Sequence, residues 1–293
     1  MITDLFLICI IKTIQQCLRV LPETLQRGIG VFFGRCAYHL LRKRRLVAIS
    51  NLKRVFRDRD INEIQRIAKG CFEKFGINFV EMLLIPYVKK DAYPERFSLE
   101  NRGYIDNALA MGKGVLAVIF HYSNWEIMGI TSVLLNHDVI VLARPLKRHI
   151  LLNNFLNRMR AITGLKIIPN EGTGMDIMRH LKENRIVAVL ADQREKRSRG
   201  VYVDFFGEKV STNKGIAVVA MKTGSPVIPV YLVREGFLRY RVVCNEPVIM
   251  ARKGNINDLI LENLRRINTF LESIILKAPD EWFWVHRRWG RNT

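Results

Sequence analysis

His121 and Glu126 bracket the stretch HYSNWE, which follows the continuously apolar run VLAVIF. An unbroken apolar run of this length reads as a central strand buried on both faces. Reactive groups of open α/β sheets collect at the carboxyl ends of such strands, where His121 falls. Five positions apart on one helix, a histidine and a glutamate face away from each other. Across a strand–turn–helix junction they can meet. The carboxylate would then take the proton of one imidazole nitrogen and leave the other as a general base toward a hydroxyl group. The bland alternative is a histidine that only caps a helix or bonds backbone.

The other candidates sit at comparable places. Arg144 follows the run DVIVLA and suits an oxyanion or a phosphate. Asp192 and Gln193 end RIVAVLA at the same sheet edge, placed to bind acceptor hydroxyls or to orient Arg144. Asn124 lies in the turn after His121, as a donor or a helix cap. A basic loop follows Gln193, with Arg194 and Arg197 suited to phosphates or to an acidic partner. Thr212, in STNKG, reads as the start of a helix, as a cap or an anion ligand. His286 has no evident carboxylate partner and reads as structural.

Positioning these residues requires an α/β architecture. VLAVIF, DVIVLA, LKIIP, RIVAVLA and SPVIPVYLV read as strands. WEIMGITSVLL, ILLNNFLNRMRAI, MDIMRHLKE and TNKGIAVVAMKT read as the helices between them. The alternation predicts a mixed, largely parallel sheet flanked by helices. Residues up to about 95 read as helical only, with Asp60 and Glu63 forming a capping box ahead of a long helix that Pro86 stops. INDLILENLRRINTFLESIILKAP predicts a further amphipathic helix, stopped at Pro279. GIGVFFG misses the dinucleotide spacing and follows no strand, so it reads as a helix with small residues.

Composition narrows the partners. The 293 residues carry 47 Lys and Arg against 27 Asp and Glu, a net charge of +20. Such a chain favours polyanions. The basic residues are spread among apolar helices without a nucleic-acid motif, which points away from nucleic acid and toward an anionic membrane. At the N-terminus, Leu7, Ile10, Ile11, Ile14, Leu18 and Leu21 recur on one helical face, and RKRR (42–45) follows a second apolar run. These predict an N-terminal membrane-associating region over residues 1–41, interfacial or a tilted anchor, ahead of a domain over 42–293. The alternative is a helical hairpin packed on the main core. Five cysteines without CxxC spacing predict neither a disulfide framework nor a zinc site.

Several blocks carry a further resemblance. HxxNWE, the stretches NLKRVF and EIQRIAKGCFEKFGINFVEML, ARP (143–145), ADQ (191–193) with VDFFGEKVSTNKGIAVVAMKTGSPVIPVY, and PDEWFWVHRRW together resemble the bacterial lipid A biosynthesis acyltransferases. These belong to a wider group of glycerolipid acyltransferases with an H-x4-D/E block. The resemblance spans nearly the whole chain. It implies a catalytic dyad of His121 and Glu126, and an acyl carrier protein as thioester donor. It also implies an anionic lipid A precursor as acceptor, no metal or cofactor, and a site facing the cytoplasm at the bacterial inner membrane. Tyr122-Ser123 stands where that family often has Phe-Gly. Two other readings stay open: an acyl-CoA-dependent enzyme acting on another glycolipid, and a non-catalytic basic membrane-binding protein.

Overall fold

The computed structural model describes residues 2–143, 148–169, 174–196 and 198–290. Four helices come first: α1 (Ile2–Arg19), α2 (Glu23–Leu40), α3 (Arg42–Val55) and α4 (Ile61–Leu84). The Asp60 carboxylate caps α4, accepting from the amides of Asn62 and Glu63. Glu63 turns to Arg59 at 2.9 Å, so the reciprocal half of the box is replaced by an ion pair. A tight turn at Ile85–Tyr87 ends the helix at Pro86, as read from the sequence.

The short α5 (Tyr93–Arg96) leads into β1 (Phe97–Glu100) and α6 (Gly103–Ala110). Strand and helix then alternate: β2 (Val115–Ile119), α7 (Ile130–Leu135), β3 (Val139–Ala143), α8 (Ile150–Ala161), β4 (Leu165–Pro169), α9 (Gly174–Lys182) and β5 (Ile186–Leu190). A hairpin of β6 (Gly200–Phe205) and β7 (Glu208–Asn213) precedes α10 (Gly215–Thr223). The chain continues through β8 (Val227–Gly236), β9 (Arg239–Cys244) and α11 (Ile256–Lys277).

Seven strands form one sheet in the order β1-β9-β8-β2-β5-β3-β4. Only β8 and β9 pair antiparallel; the other neighbours are parallel. The mixed, largely parallel sheet is therefore present, and its five strands β2, β3, β4, β5 and β8 are the five apolar runs. The sequence reading missed β1, β9 and the β6–β7 hairpin. These are short, or they interleave charges such as Arg239, Arg241, Glu208 and Lys209, so no apolar run marks them.

Apolar layers cover both faces. One gathers the C-terminal half of α4 with α6 and α7; the other gathers α3, α11 and the segment around Trp282 and Trp284. α2 lies directly on α4 through glycine. A methyl group built on Gly76 would sit 2.0 Å from the Gly30 carbonyl oxygen, so the two backbones touch. GIGVFFG is thus a helix with small residues. α1 docks through polar groups: Gln15 Nε2 donates to the Leu83 carbonyl at 2.8 Å, and the Asp4 carboxylate accepts from the Leu151 amide at 3.1 Å at the start of α8.

Candidate active site

β2 and β5 are parallel neighbours with Ile119 opposite Leu190. Continuing that register by two residues sets His121 beside Asp192, just past the carboxyl ends of the two strands. His121 Nδ1 lies 2.7 Å from Asp192 Oδ1, and the His121 amide donates to Asp192 Oδ2 at 2.9 Å. The Trp282 indole N–H donates to the same Oδ2 at 2.8 Å. Burial alone would push the Asp192 carboxyl up. The charge and hydrogen bonds of His121, with the Trp282 indole, outweigh it and hold the carboxyl below its usual range.

An ionised carboxylate at Nδ1 fixes the tautomer with the proton on Nδ1 and the lone pair on Nε2. That free nitrogen meets the Gln193 side-chain amide at 3.0 Å, which donates to it. Phe283 stacks on the imidazole at 5.7 Å and 25°, and Trp125 meets it edge-on at 5.0 Å. The ring is thus held between Phe283 and Trp125, and its Nε2 meets the exposed Gln193 side chain.

The expected pairing of His121 with Glu126 is corrected by this geometry. Glu126 lies in a tight turn at Trp125–Ile127, and its carboxylate takes two hydrogen bonds from Arg160 of α8, at 2.9 and 3.2 Å. The carboxylate on the imidazole is Asp192, which the sequence places to bind hydroxyls or to orient Arg144. Asn124 is also turned away from the site. It is fully buried, and its Nδ2 donates to Glu81 Oε2 of α4 at 2.9 Å. Thr212 does not open a helix. It belongs to β7, and its hydroxyl accepts from Arg288 Nη2 at 3.0 Å, while Asn213 takes the first amide of α10. Arg194 is half-buried beside Gln193, with its backbone amide bonded to His286 Nε2 at 3.0 Å. Arg144 and Arg197 lie outside the described residues.

Behind the His121 turn is a buried polar cluster. Glu81 Oε1 accepts from Arg234 Nη1 at 2.8 Å and from the Leu238 amide at 2.7 Å, and Oε2 accepts from the Tyr240 hydroxyl. Asn78, also on α4, donates to the Ser123 carbonyl at 2.7 Å. Between these anchors Ser123 adopts φ 54°, in the left-handed region that favours glycine. The Ser123 amide donates to the Glu281 carbonyl at 2.8 Å, and the Phe283 amide to the His121 carbonyl at 3.0 Å. No cluster of three or more His, Cys, Asp or Glu among the described residues is arranged to hold a metal ion.

Comparison with known families matches the model of the bacterial lipid A biosynthesis acyltransferases over residues 2–291. The chain belongs to that family. The acyltransferase class implied by HxxNWE and its companion blocks therefore stands. Similar proteins include a phosphatidylinositol mannoside acyltransferase of Mycobacterium tuberculosis (strain ATCC 25618 / H37Rv). It is 30% identical over 57% of this chain, and the match spans only 54% of that relative. A lipid A biosynthesis palmitoleoyltransferase of Escherichia coli (strain K12) is 23% identical over 92% of this chain and 86% of its own length. The lipid A biosynthesis lauroyltransferase of the same organism is 20% identical over 92% and 86%.

In this member of the family, four supporting residues escaped the sequence reading: Trp282, Arg288, Glu81 and Arg234. The terminal WFWVHRRW block packs on the core beside the site. Arg288 is fully buried, and burial lowers its guanidinium to about 10. It donates to the Gln193 carbonyl at 3.2 Å and the Ser211 carbonyl at 3.0 Å, tying the loop that follows Asp192 to β7. Register offered a usable signal for Asp192, since two neighbouring parallel strands each end two residues before a polar side chain. Glu81 and Arg234 carry no local signal, because what makes them partners is the packing of α4 on β8.

Proposed function

We propose that the protein moves a fatty acyl chain from an acyl-carrier-protein thioester to a hydroxyl of a lipid A precursor. The observation that carries this reading is the His121–Asp192 pair with Nε2 facing an exchangeable glutamine. When the acceptor hydroxyl displaces the Gln193 amide, Nε2 takes its proton as the oxygen attacks the thioester carbonyl. Asp192 stabilises the imidazolium that forms. Collapse of the tetrahedral intermediate breaks the C–S bond, and the leaving thiolate takes the proton back from Nε2. No acyl-enzyme is needed. Glu126, fixed by Arg160, then acts on the acceptor rather than on the imidazole, together with Gln193, Arg194, Arg144 and Arg197.

The acyl chain has a candidate berth in a largely apolar cavity between the sheet and α7, lined among others by Ala117, Ile119, Met128 and Val230. Ile119 is two residues before His121. The cavity measures about 20 Å³, room for about one water molecule and far short of an acyl chain. Admission of a chain therefore requires the side chains around α7 to move apart.

The outward apolar side of the N-terminal helices supports a location at a membrane surface. The inward stripe of α2 is Gln26, Gly30, Gly34 and Tyr38, whereas Phe32 and Phe33 are about 60% exposed. α1 buries Asp4 and Gln15 and exposes Leu5, Phe6, Ile10 and Ile14. An apolar surface of this kind, flanked by Lys12, Arg19 and 42–45, suits the anionic cytoplasmic leaflet of the inner membrane. Among the described residues no helix is long and apolar enough to cross a membrane, which favours monotopic attachment of residues 1–41.

The test is mass spectrometry of lipids after incubation with acyl-carrier-protein donors and a tetra-acylated lipid A precursor. The expected product is heavier by one acyl chain and absent with His121→Ala. A second reading draws on the mycobacterial relative: an acyl-CoA donor with a mannosylated phosphoinositide acceptor. Product from that pair alone would select it. No product from any pair would sink both and leave a non-catalytic membrane-binding protein.

A further inference from the structure

A cavity of about 500 Å³, within the size range of ligand sites, opens beside the loop that follows Gln193. Lys43 and Arg44 of α3, Arg194 and Lys196 after Gln193, and Arg287 line it. Glu195 is its single carboxylate, already engaged by the Asn213 side chain at 2.9 Å and the Lys196 amide at 2.8 Å. Among the described residues none of the five cations forms an ion pair, although most arginines elsewhere do.

The placement of Lys43 and Arg44 opposes an elementary rule. The first turn of α3 holds four basic residues and no acidic one. A helix N-terminus carries partial positive charge, so cations there destabilise it by a few tenths to about 1 kcal/mol each. Arg45 meets the Tyr38 carbonyl and ring, and Arg44 the Val285 carbonyl, but no ion pair among the described residues offsets their charge; a local rule broken in this way marks a functional or strained site. An anion in the cavity would supply that compensation, meeting five cations at the positive end of a helix.

We propose that this cavity is a phosphate subsite. It rests on the acyl-transfer reading for its biological ligand, which is the phosphate of the glycolipid headgroup or the phosphodiester of the donor's pantetheine arm. Its position fits either. Gln193 and Phe283 touch His121, while Arg194 and Arg287, one and four residues further on, line the cavity. A phosphate held there keeps its own molecule's reacting group within reach of Nε2.

Calorimetric titration of the full chain with inorganic pyrophosphate tests the subsite without any turnover. Wild type is expected to bind in the millimolar range or tighter. Lys43→Ala/Arg287→Ala should bind at least about 10-fold more weakly, one tenfold step being about 1.4 kcal/mol. Lys253→Ala, an exposed lysine away from the cavity, serves as the control for general charge loss. No binding by wild type, or equal losses in the double variant and the control, overturns the subsite. Steady-state kinetics then assign the source. A raised KM for the acceptor names the headgroup phosphate, a raised KM for the donor names the pantetheine phosphodiester, and neither KM moving overturns the proposal. Pyrophosphate binding lost in the double variant, with no acyl transfer by wild type from any donor, would leave the subsite standing and remove the acyl-transfer reading.

Discussion

Two buried carboxylates grip the four residues from His121 to Asn124 from opposite ends. Asp192 holds the first and Glu81 the last, and both are essentially inaccessible to solvent. Each accepts from several donors, among them a backbone amide and a side chain of that stretch or its neighbours. They differ in the rest of their company. Glu81 faces Arg234 and Tyr240. Burial disfavours the Arg234 charge, yet Tyr240, Glu81 and Glu281 hold its pKa above the ordinary value, while burial raises the Tyr240 phenol. Neither group exchanges protons near neutrality. Asp192 faces an imidazole whose second nitrogen meets only Gln193. A buried carboxylate becomes chemistry when one partner keeps a basic nitrogen turned toward the outside; otherwise it is scaffold.

The sharpest way to break that distinction is Asp192→Asn. The change keeps shape but removes the charge that fixes the tautomer, and it should lower kcat by up to about 10⁴-fold with little change in the far-UV spectrum. A comparable loss from Glu81→Gln with stability untouched would erase the contrast. Glu81→Ala should act on the fold instead, because it removes the nearest carboxylate of the buried Arg234. Urea denaturation is expected to show a loss of about 3–5 kcal/mol.

Acid titration separates the two centres more finely. The Asp192 carboxyl is held low, so its contribution is complete above its ordinary value of about 3.9 and is lost only as the pH falls through the lower folded value. His286, beside the same loop, is lowered by burial to about 4. The unfolded chain therefore binds a proton below about 6.5 that the folded protein refuses, and stability falls as the pH drops from there toward 4. The loss is at most about 3 kcal/mol. Denaturation curves between pH 7 and 4.5 should show this slope, and His286→Gln should remove most of it. Arg234 and Tyr240 keep their protons throughout, so they add none.

The smallest expected effect lies between the two carboxylates. Ser123 occupies left-handed backbone and buries a hydroxyl oxygen without a hydrogen-bond partner. Ser123→Gly should raise the unfolding free energy by about 1 kcal/mol, through relief of both costs. A loss of stability would mean that the anchors from Asn78 and Glu281 depend on the serine.

This comparison also explains how far the sequence could be read. The apolar runs located five adjacent strands, β8, β2, β5, β3 and β4 in sheet order, because burial writes itself into consecutive residues. His121 and Asp192 were both visible as polar residues at strand ends. Their pairing was not, because it depends on β5 lying beside β2, and chain order gives no neighbour relation. Glu126 attracted the pairing by its nearness in sequence and by the resemblance to an H-x4-D/E block. Thr212 was misread because a strand of mixed polarity ran on to Asn213. The outward apolar faces of α1 and α2 were anticipated in composition. Which residues turn inward was not, since Gln15 and Gly30 are chosen for close approach to neighbours rather than for hydrophobicity.

The bond from Trp282 to Asp192 joins residues 90 apart in the chain. At about 5–20 residues per second, a ribosome needs roughly 5–20 s to cover that distance. For that interval the emerging chain carries His121, Asp192 and Gln193 without the indole, the Glu281 carbonyl or the Arg288 guanidinium that hold them. Assembly of the base is therefore among the late events of biosynthesis. A polypeptide interrupted before residue 281 would contain every proton-transferring group and still lack the geometry to use them.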